Sequence, residues 1–431
     1  MMRQDACLRH LTLPVLLAIV AMTAQSAMAV DCARDSTGLI PLTDLGPGLY
    51  GGFQGGLYSG GTNERPAAHT QAGLSIANSI APLDTLGNPD PQSGKVVLIS
   101  IGMSNTTQEF QTFIPKAMAD PLKKQSVMVV DCAVGGMSAD RIKDPRAAYW
   151  DSVATRLRRT GSSPLQAQVV WLKEAIAGPR GGFPASAETL QWYLGSIARI
   201  IGQRLPNVRL CYITSRIYAG YATTNLNPEP YAYESAFAVK WLVDSQARGD
   251  SLNYDPARGA VEAPWLSWGP YLWADGLNPR GDGLTWPCSY FQSDGTHPAM
   301  GARVIVADSL LAFFEHDPTT VPWWSVGTVT GVGASGPRPS MSLTVAPNPS
   351  TGGSRIFFAA SAGKKWRLEV FDLVGRRVRE IGHGTGAGAR EEIGWDGRSQ
   401  AGDRVPQGVY WIRLTSDGAH VSSRTVVLES R

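Results

Sequence analysis

Charge is scarce in this 431-residue sequence: Asp, Glu, Lys and Arg make up 17% of it, and the formal net charge is +3. Setting aside Arg3, Arg9 and Asp5 of an N-terminal leader leaves about +2, which gives no footing for a polyanion and excludes nucleic acid as the expected partner. Cysteine is scarce too. The five cysteines are scattered, without the close pairs of a zinc site, and four of them (Cys32, Cys132, Cys211 and Cys288) lie beyond the leader. An even number in an oxidising compartment allows one or two disulfides, whose pairing the spacing does not give. Cys132 and Cys211 sit in apolar strand patterns that suit plain buried thiols equally well. No run of about 20 apolar residues occurs, so no membrane span is expected once the leader is gone.

What is present points to a loop-rich globular protein. Apolar residues reach 43%, with 47 Gly, 29 Pro and 13 Trp. The length suggests two folded units. Arg3 and Arg9 precede an apolar run over 11–22, and Ala27-Met28-Ala29 then supplies the small residues that a signal peptidase needs. Residues 1–29 are therefore read as a signal peptide and the mature protein as secreted or on the cell surface. A membrane anchor is the alternative, but the run is short for one.

Residues 38–65 are dense in glycine, with Tyr50, Phe53 and Tyr58 between, which argues against helix and for an ordered loop packed on the body or forming a substrate wall. From residue 95 short apolar runs alternate with helical stretches. Strands are expected over 96–101, 127–130, 167–172 and 208–214, and helices over 187–205, 234–247 and 301–314. Such alternation builds a parallel sheet with helices on both faces and a site beyond the carboxyl ends of the strands. Residues 30–317 are assigned to this α/β unit and the Pro-, Gly- and Ser-rich stretch 318–341 to a linker. Residues 342–431 read as a small all-β sandwich, with strands expected over 354–359, 366–372, 391–395, 409–414 and 423–428.

Two motifs can carry chemistry. The first strand breaks at Gly102-Met103-Ser104-Asn105, which puts a serine just past a buried strand, where following backbone N–H groups can face an oxyanion. A serine there also serves as a simple helix cap. The second motif is Ser293-Asp294-Gly295-Thr296-His297-Pro298, before the last helix. A serine hydroxyl needs an imidazole to take its proton, and the imidazole needs a carboxylate to fix its tautomer; Asp294 and His297 can do both from one turn. Arg216 and Tyr218, after the fourth strand, face the same sheet edge as substrate contacts or as structural groups. Trp265, Trp268, Trp273 and Trp286 with Tyr271 suit sugar stacking or loop packing.

Together these motifs resemble the SGNH (GDSL-like) hydrolases across roughly residues 90–317. The resemblance implies a flavodoxin-like three-layer α/β fold and a Ser-His-Asp esterase, with Ser104 as nucleophile, His297 as base and Asp294 as its orienting carboxylate. It implies an oxyanion hole at the Ser104 N–H and at Gly135 or Gly136 in Asp131-Cys132-Ala133-Val134-Gly135-Gly136. The usual GDS is Gly-Met-Ser here, closer to the Gly-Gln-Ser-Asn of sialate O-acetylesterase-like carbohydrate esterases, which brings Asn105 into the site. The family also places an oxyanion asparagine after the third strand. That strand ends Trp171-Leu172-Lys173-Glu174-Ala175, with no asparagine, leaving Lys173 as a substitute donor or as the ion-pair partner of Glu174 or another carboxylate. The implied substrate is an acyl, in the first instance acetyl, ester on a carbohydrate, with no metal or organic cofactor. The missing asparagine also fits a surface protein that keeps the fold to bind glycans or a partner without turnover. Transfer of the acyl group to an alcohol acceptor is a third outcome of the same chemistry.

Residues 342–431 carry Ala346-Pro347-Asn348-Pro349-Ser350, Val370-Phe371-Asp372-Leu373-Val374-Gly375-Arg376, Trp395-Asp396-Gly397-Arg398 and Pro406-Gln407-Gly408-Val409-Tyr410. The set resembles the FlgD Ig-like and type A secretion-sorting domains of exported bacterial proteins. That resemblance implies a partner in the secretion machinery; an inert β spacer is the alternative.

Overall fold

A computed structural model describes residues 30–326 and, with short gaps, 342–427. The expected signal peptide and most of the expected linker lie outside the described residues. Among the described residues no helix is long and apolar enough to cross a membrane.

Five parallel strands form the central sheet: β1 (Val96–Gly102), β2 (Val127–Asp131), β3 (Ala167–Lys173), β4 (Leu210–Ile213) and β5 (Trp265–Trp268). Their order is β2-β1-β3-β4-β5. β1 and β3 are buried along their whole length, as central strands covered on both faces must be, which is why they read as unbroken apolar runs. The register sets Ser100 beside Asp131 and Gly102 beside Lys173 at the carboxyl edge.

The longer helices are α1 (Ala67–Ser79), α2 (Ser104–Ala119), α3 (Ala148–Arg159), α4 (Ala185–Arg204), α5 (Tyr231–Arg248) and α6 (Met300–His316). From β1 the chain steps outward through α2 to β2, then reverses and advances through α3, α4 and α5. Among the described residues α2 packs on β1 and β2 and against α6, while α4 packs on α5 and α5 on β5. Right-handed crossovers, the rule for such connections, set α2 and the helices of the reversed run on opposite faces.

Three local expectations change. β5 falls inside the tryptophan-rich stretch, and Trp265, Trp268, Trp273 and Trp286 are all buried at 2% exposure or less, so they fill the core and offer no face to a sugar. The glycine-rich segment holds a four-residue helix, Leu42–Leu45, ahead of a two-stranded ribbon, Leu49–Tyr50 with Phe53–Gln54. Tyr50 and Phe53 of that ribbon pack on Phe183, and Phe53 also packs on Trp241 of α5. Packing of the α/β body also runs past 317, because Trp323 and Trp324 of the short helix Val321–Trp324 are buried in the same core. The break expected at 318 therefore falls later.

Cys32 and Cys288 form a disulfide, while Cys132 and Cys211 are buried free thiols. Burial pushes both thiols well above the usual range.

The C-terminal region is antiparallel throughout: β6 (Ser342–Ala346), β7 (Ser354–Ala359), β8 (Lys365–Phe371), β9 (Arg377–Thr385), β10 (Arg390–Trp395), β11 (Gly408–Ser416) and β12 (Ala419–Val427). Two sheets, β9-β8-β11-β12 and β10-β7-β6, share a core of their own around Ile356, Phe358, Leu368, Trp395 and Tyr410.

Candidate functional site

The carboxyl edge of the parallel sheet gathers three segments. β1 ends at Gly102, where a Cβ would run into the Lys173 carbonyl and the Thr106 side chain, so only glycine lets the chain turn this close to β3. Ser104 then opens α2, leaving its N–H at a helix N-terminus without an intrahelical acceptor.

The second segment follows β2. Asp131 accepts from Ser100 Oγ (2.6 Å) and from Thr107 Oγ1, and Ser100 Oγ accepts the N–H groups of Cys132 and Ala133 (3.0 and 3.2 Å). The Val134 N–H donates to the Gly102 carbonyl (2.9 Å). These bonds lash the end of β2 to β1 and bring Gly135 beside Ser104, so that a Cβ added at Gly135 would sit 3.8 Å from the Ser104 Cβ.

The third segment is the loop before α6. Asp294 Oδ1 accepts the N–H groups of Thr296 and His297, both at 3.0 Å, and Asp294 Oδ2 accepts from His297 Nδ1. Gly295 has φ +66°, and a Cβ there would overlap the Tyr221 carbonyl. With Nδ1 carrying the proton, His297 Nε2 is free to accept, and Ser104 Oγ donates to it at 2.7 Å. Burial raises the Asp294 carboxyl, but the hydrogen bonds from the His297 ring and the two backbone N–H groups outweigh it and hold Asp294 well below the usual carboxylate range.

The remaining sequence candidates separate. Asn105 is buried and its amide donates to the Thr296 carbonyl (3.0 Å), tying α2 to the His297 loop. Tyr218 is buried away from Ser104, its hydroxyl donating to the Arg34 carbonyl (2.6 Å); it does not line the cavity at Ser104, which corrects its place as a substrate contact. Lys173 is also corrected. Its Nζ donates to both oxygens of Glu109 on α2 at 2.6 Å, with both side chains fully buried, so the ammonium is committed to an ion pair and not turned to an oxyanion. Burial lowers Lys173 to about 8 against the opposing pull of Glu109. Glu109, one helical turn into α2 from Ser104, gave no pattern by which sequence reading could pair it.

Ser104 and His297 border a cavity of about 210 Å³. Gly136 and Arg216 line it, as do Ser138, Ile176, Leu226 and Asn227, which the sequence reading missed. Asn227, in Asn-Leu-Asn-Pro, has φ +57°, a backbone conformation that asparagine tolerates, and that tolerance was the one available signal. A larger groove, about 570 Å³, lies at the opposite ends of β4 and β5 around Arg209, Tyr254 and Trp265, away from Ser104. Among the described residues no cluster of three or more His, Cys, Asp or Glu could hold a metal.

No family model matches the sequence, and no curated protein matches it. Solved structures give partial likenesses. A mutant of an acetyl-xylooligosaccharide esterase from Geobacillus is 12% identical over 52% of this chain and 95% of its own, with a TM-score of 0.31. An alpha/beta hydrolase from the metagenome of Lake Arreo is 12% identical over 53% and 96%, with a TM-score of 0.30. Latent PorU from Porphyromonas gingivalis is 20% identical over 21% of this chain, which spans only 9% of that structure, with a TM-score of 0.19.

Proposed function

We propose that this protein is an exported serine esterase of the SGNH type, built on a flavodoxin-like α/β body, that hydrolyses an acyl ester through Ser104, His297 and Asp294. The observation that carries the reading is the unbroken relay from Ser104 Oγ to His297 Nε2 at 2.7 Å and from His297 Nδ1 to Asp294.

His297 takes the Ser104 proton as Oγ attacks the acyl carbon, and ionised Asp294 stabilises the imidazolium that results. The N–H groups of Ser104 and of Gly135 or Gly136 hold the oxyanion. The imidazolium then protonates the departing alkoxide. Water, deprotonated by the same imidazole, releases the acyl group from Ser104 and regenerates the free hydroxyl. Lys173 takes no part in this oxyanion hole, since Glu109 already holds that ammonium.

The Ig-like reading of the C-terminal sandwich and its sorting role toward the secretion machinery belong to this proposal, as does delivery to the cell surface. Hydrolysis of p-nitrophenyl acetate tests the esterase: Ser104→Ala should lower kcat at least 1,000-fold. Equal rates for the two proteins would leave a fold used for binding alone.

A further inference from the structure

Arg216 follows β4 and is 1% exposed, yet among the described residues no protein atom accepts a hydrogen bond from its Nε, Nη1 or Nη2. A guanidinium keeps its charge and carries five N–H donors, and holding one buried without acceptors costs several kcal/mol. Four carboxylates act on it through their charge: Glu109, Glu229, Asp294 and Glu174. Each has other commitments. Glu109 is held by Lys173, Glu229 by N–H groups of Trp273, Ala219 and Tyr233, and Asp294 by His297 and Thr296. Glu174 accepts the Ala175 N–H at Oε2, its buried Oε1 has no partner among the described residues, and burial pushes its carboxyl well above the usual carboxylate range. The charge of Arg216 is thus offset at a distance while its donors stay open.

Arg216 is one of the residues that line the cavity at Ser104. Two further buried atoms without a protein partner, Asn227 Oδ1 and Thr296 Oγ1, belong to residues of the same lining. The walls between them are apolar, formed by Met103, Ile176 and Leu226. A cavity of about 210 Å³ is smaller than most drug-sized pockets, so a short group enters it. Planar, bidentate pairing with a carboxylate is the strongest use of a guanidinium in such a place.

We propose that Arg216 selects the substrate by binding a carboxylate carried by the ester, with Asn227 and Thr296 receiving hydroxyl groups beside it. The inference rests on the esterase reading and narrows its substrate class to acidic esters. The carboxylate sits either on the acyl half, as in a dicarboxylic half-ester, or on the alcohol half, as in an acylated uronic acid.

Calorimetry on the full chain carrying Ser104→Ala, which binds without turnover, tests this with succinate and glucuronate against the neutral succinamide and glucose. One acid should bind at least 10-fold more tightly than its neutral counterpart, and Arg216→Met should erase that preference. Arg216→Lys, which keeps the charge but not the planar fork, should retain part of it and carries the test if the methionine variant does not fold. Preference for succinate alone assigns the carboxylate to the acyl half, and for glucuronate alone to the alcohol half. Equal affinity for acid and neutral probes, or a preference that survives both substitutions, overturns the proposal. Acid-selective binding in a wild-type protein that hydrolyses no ester would keep the Arg216 site and remove the esterase.

Discussion

A serine hydroxyl attacks nothing near neutral pH until its proton has somewhere to go, and at Ser104 the nearest base is 2.7 Å away. The same edge of the sheet holds ionisable groups whose burial makes them report on pH. Glu229 is pushed from 4.5 up to about 7 by burial, against the opposing N–H groups of Trp273, Ala219 and Tyr233 and the charge of Arg216. Because the folded value lies above the unfolded one, the folded state binds more protons between them. Stability from this group is full below about 4.5 and is lost as pH rises through about 7, by on the order of 3 kcal/mol. Denaturant melts from pH 5 to 8 should show that decline, and Glu229→Gln should flatten it; an unchanged slope would assign the pH dependence to other groups. Ser104, Asp294 and His297 were legible because each sits in a short motif of fixed spacing. For Lys173 an ion pair was one of two readings, but its partner was not legible, since Glu109 lies 64 residues away and pairs with it only once α2 folds over β3.

At the scale of elements, the loop before α6 carries the site. It is held by a Gln292 N–H to His297 carbonyl bond (2.8 Å), a Gly295 N–H to Gln292 carbonyl bond (2.9 Å) and the Asp294 carboxylate capping two backbone N–H groups. Gly295→Ala forces a Cβ into the Tyr221 carbonyl at positive φ, a strain of about 1–3 kcal/mol. Hydrolysis should fall at least 10-fold as His297 moves off Ser104; wild-type rates in that variant would mean that the loop tolerates displacement. Helices with a clear apolar stripe were legible, such as α4 through Leu190, Leu194, Ile197 and Ile201. β5 was not, because Trp265-Leu266-Ser267-Trp268 is four residues long and lies among prolines and glycines that signal a loop. β9 was hidden for a different reason: its charged, mostly half-exposed residues follow an edge of the sheet and show no alternation.

At the scale of the whole molecule there are two separate hydrophobic cores, one around the parallel sheet and one in the antiparallel region. The Cys32–Cys288 bond spans 256 residues of the first and ties the N-terminal segment to the stretch just before the Asp294 loop. Closing so long a loop in the unfolded chain contributes about 5 kcal/mol. Calorimetry of the double variant Cys32→Ser and Cys288→Ser should lower the Tm of the α/β transition by roughly 5–10 °C and leave that of the β region in place. A shift in both would mean that the two cores unfold as one. The alternation of strand and helix announced the larger unit, while the pairing of cysteines so far apart had to await the fold. The central claim is that His297 activates Ser104, and covalent trapping tests it most directly. A fluorophosphonate should modify Ser104 alone, found by mass mapping, and about 1,000-fold more slowly in His297→Ala. Modification elsewhere, or labelling of Ser104 at the same rate without His297, would contradict it.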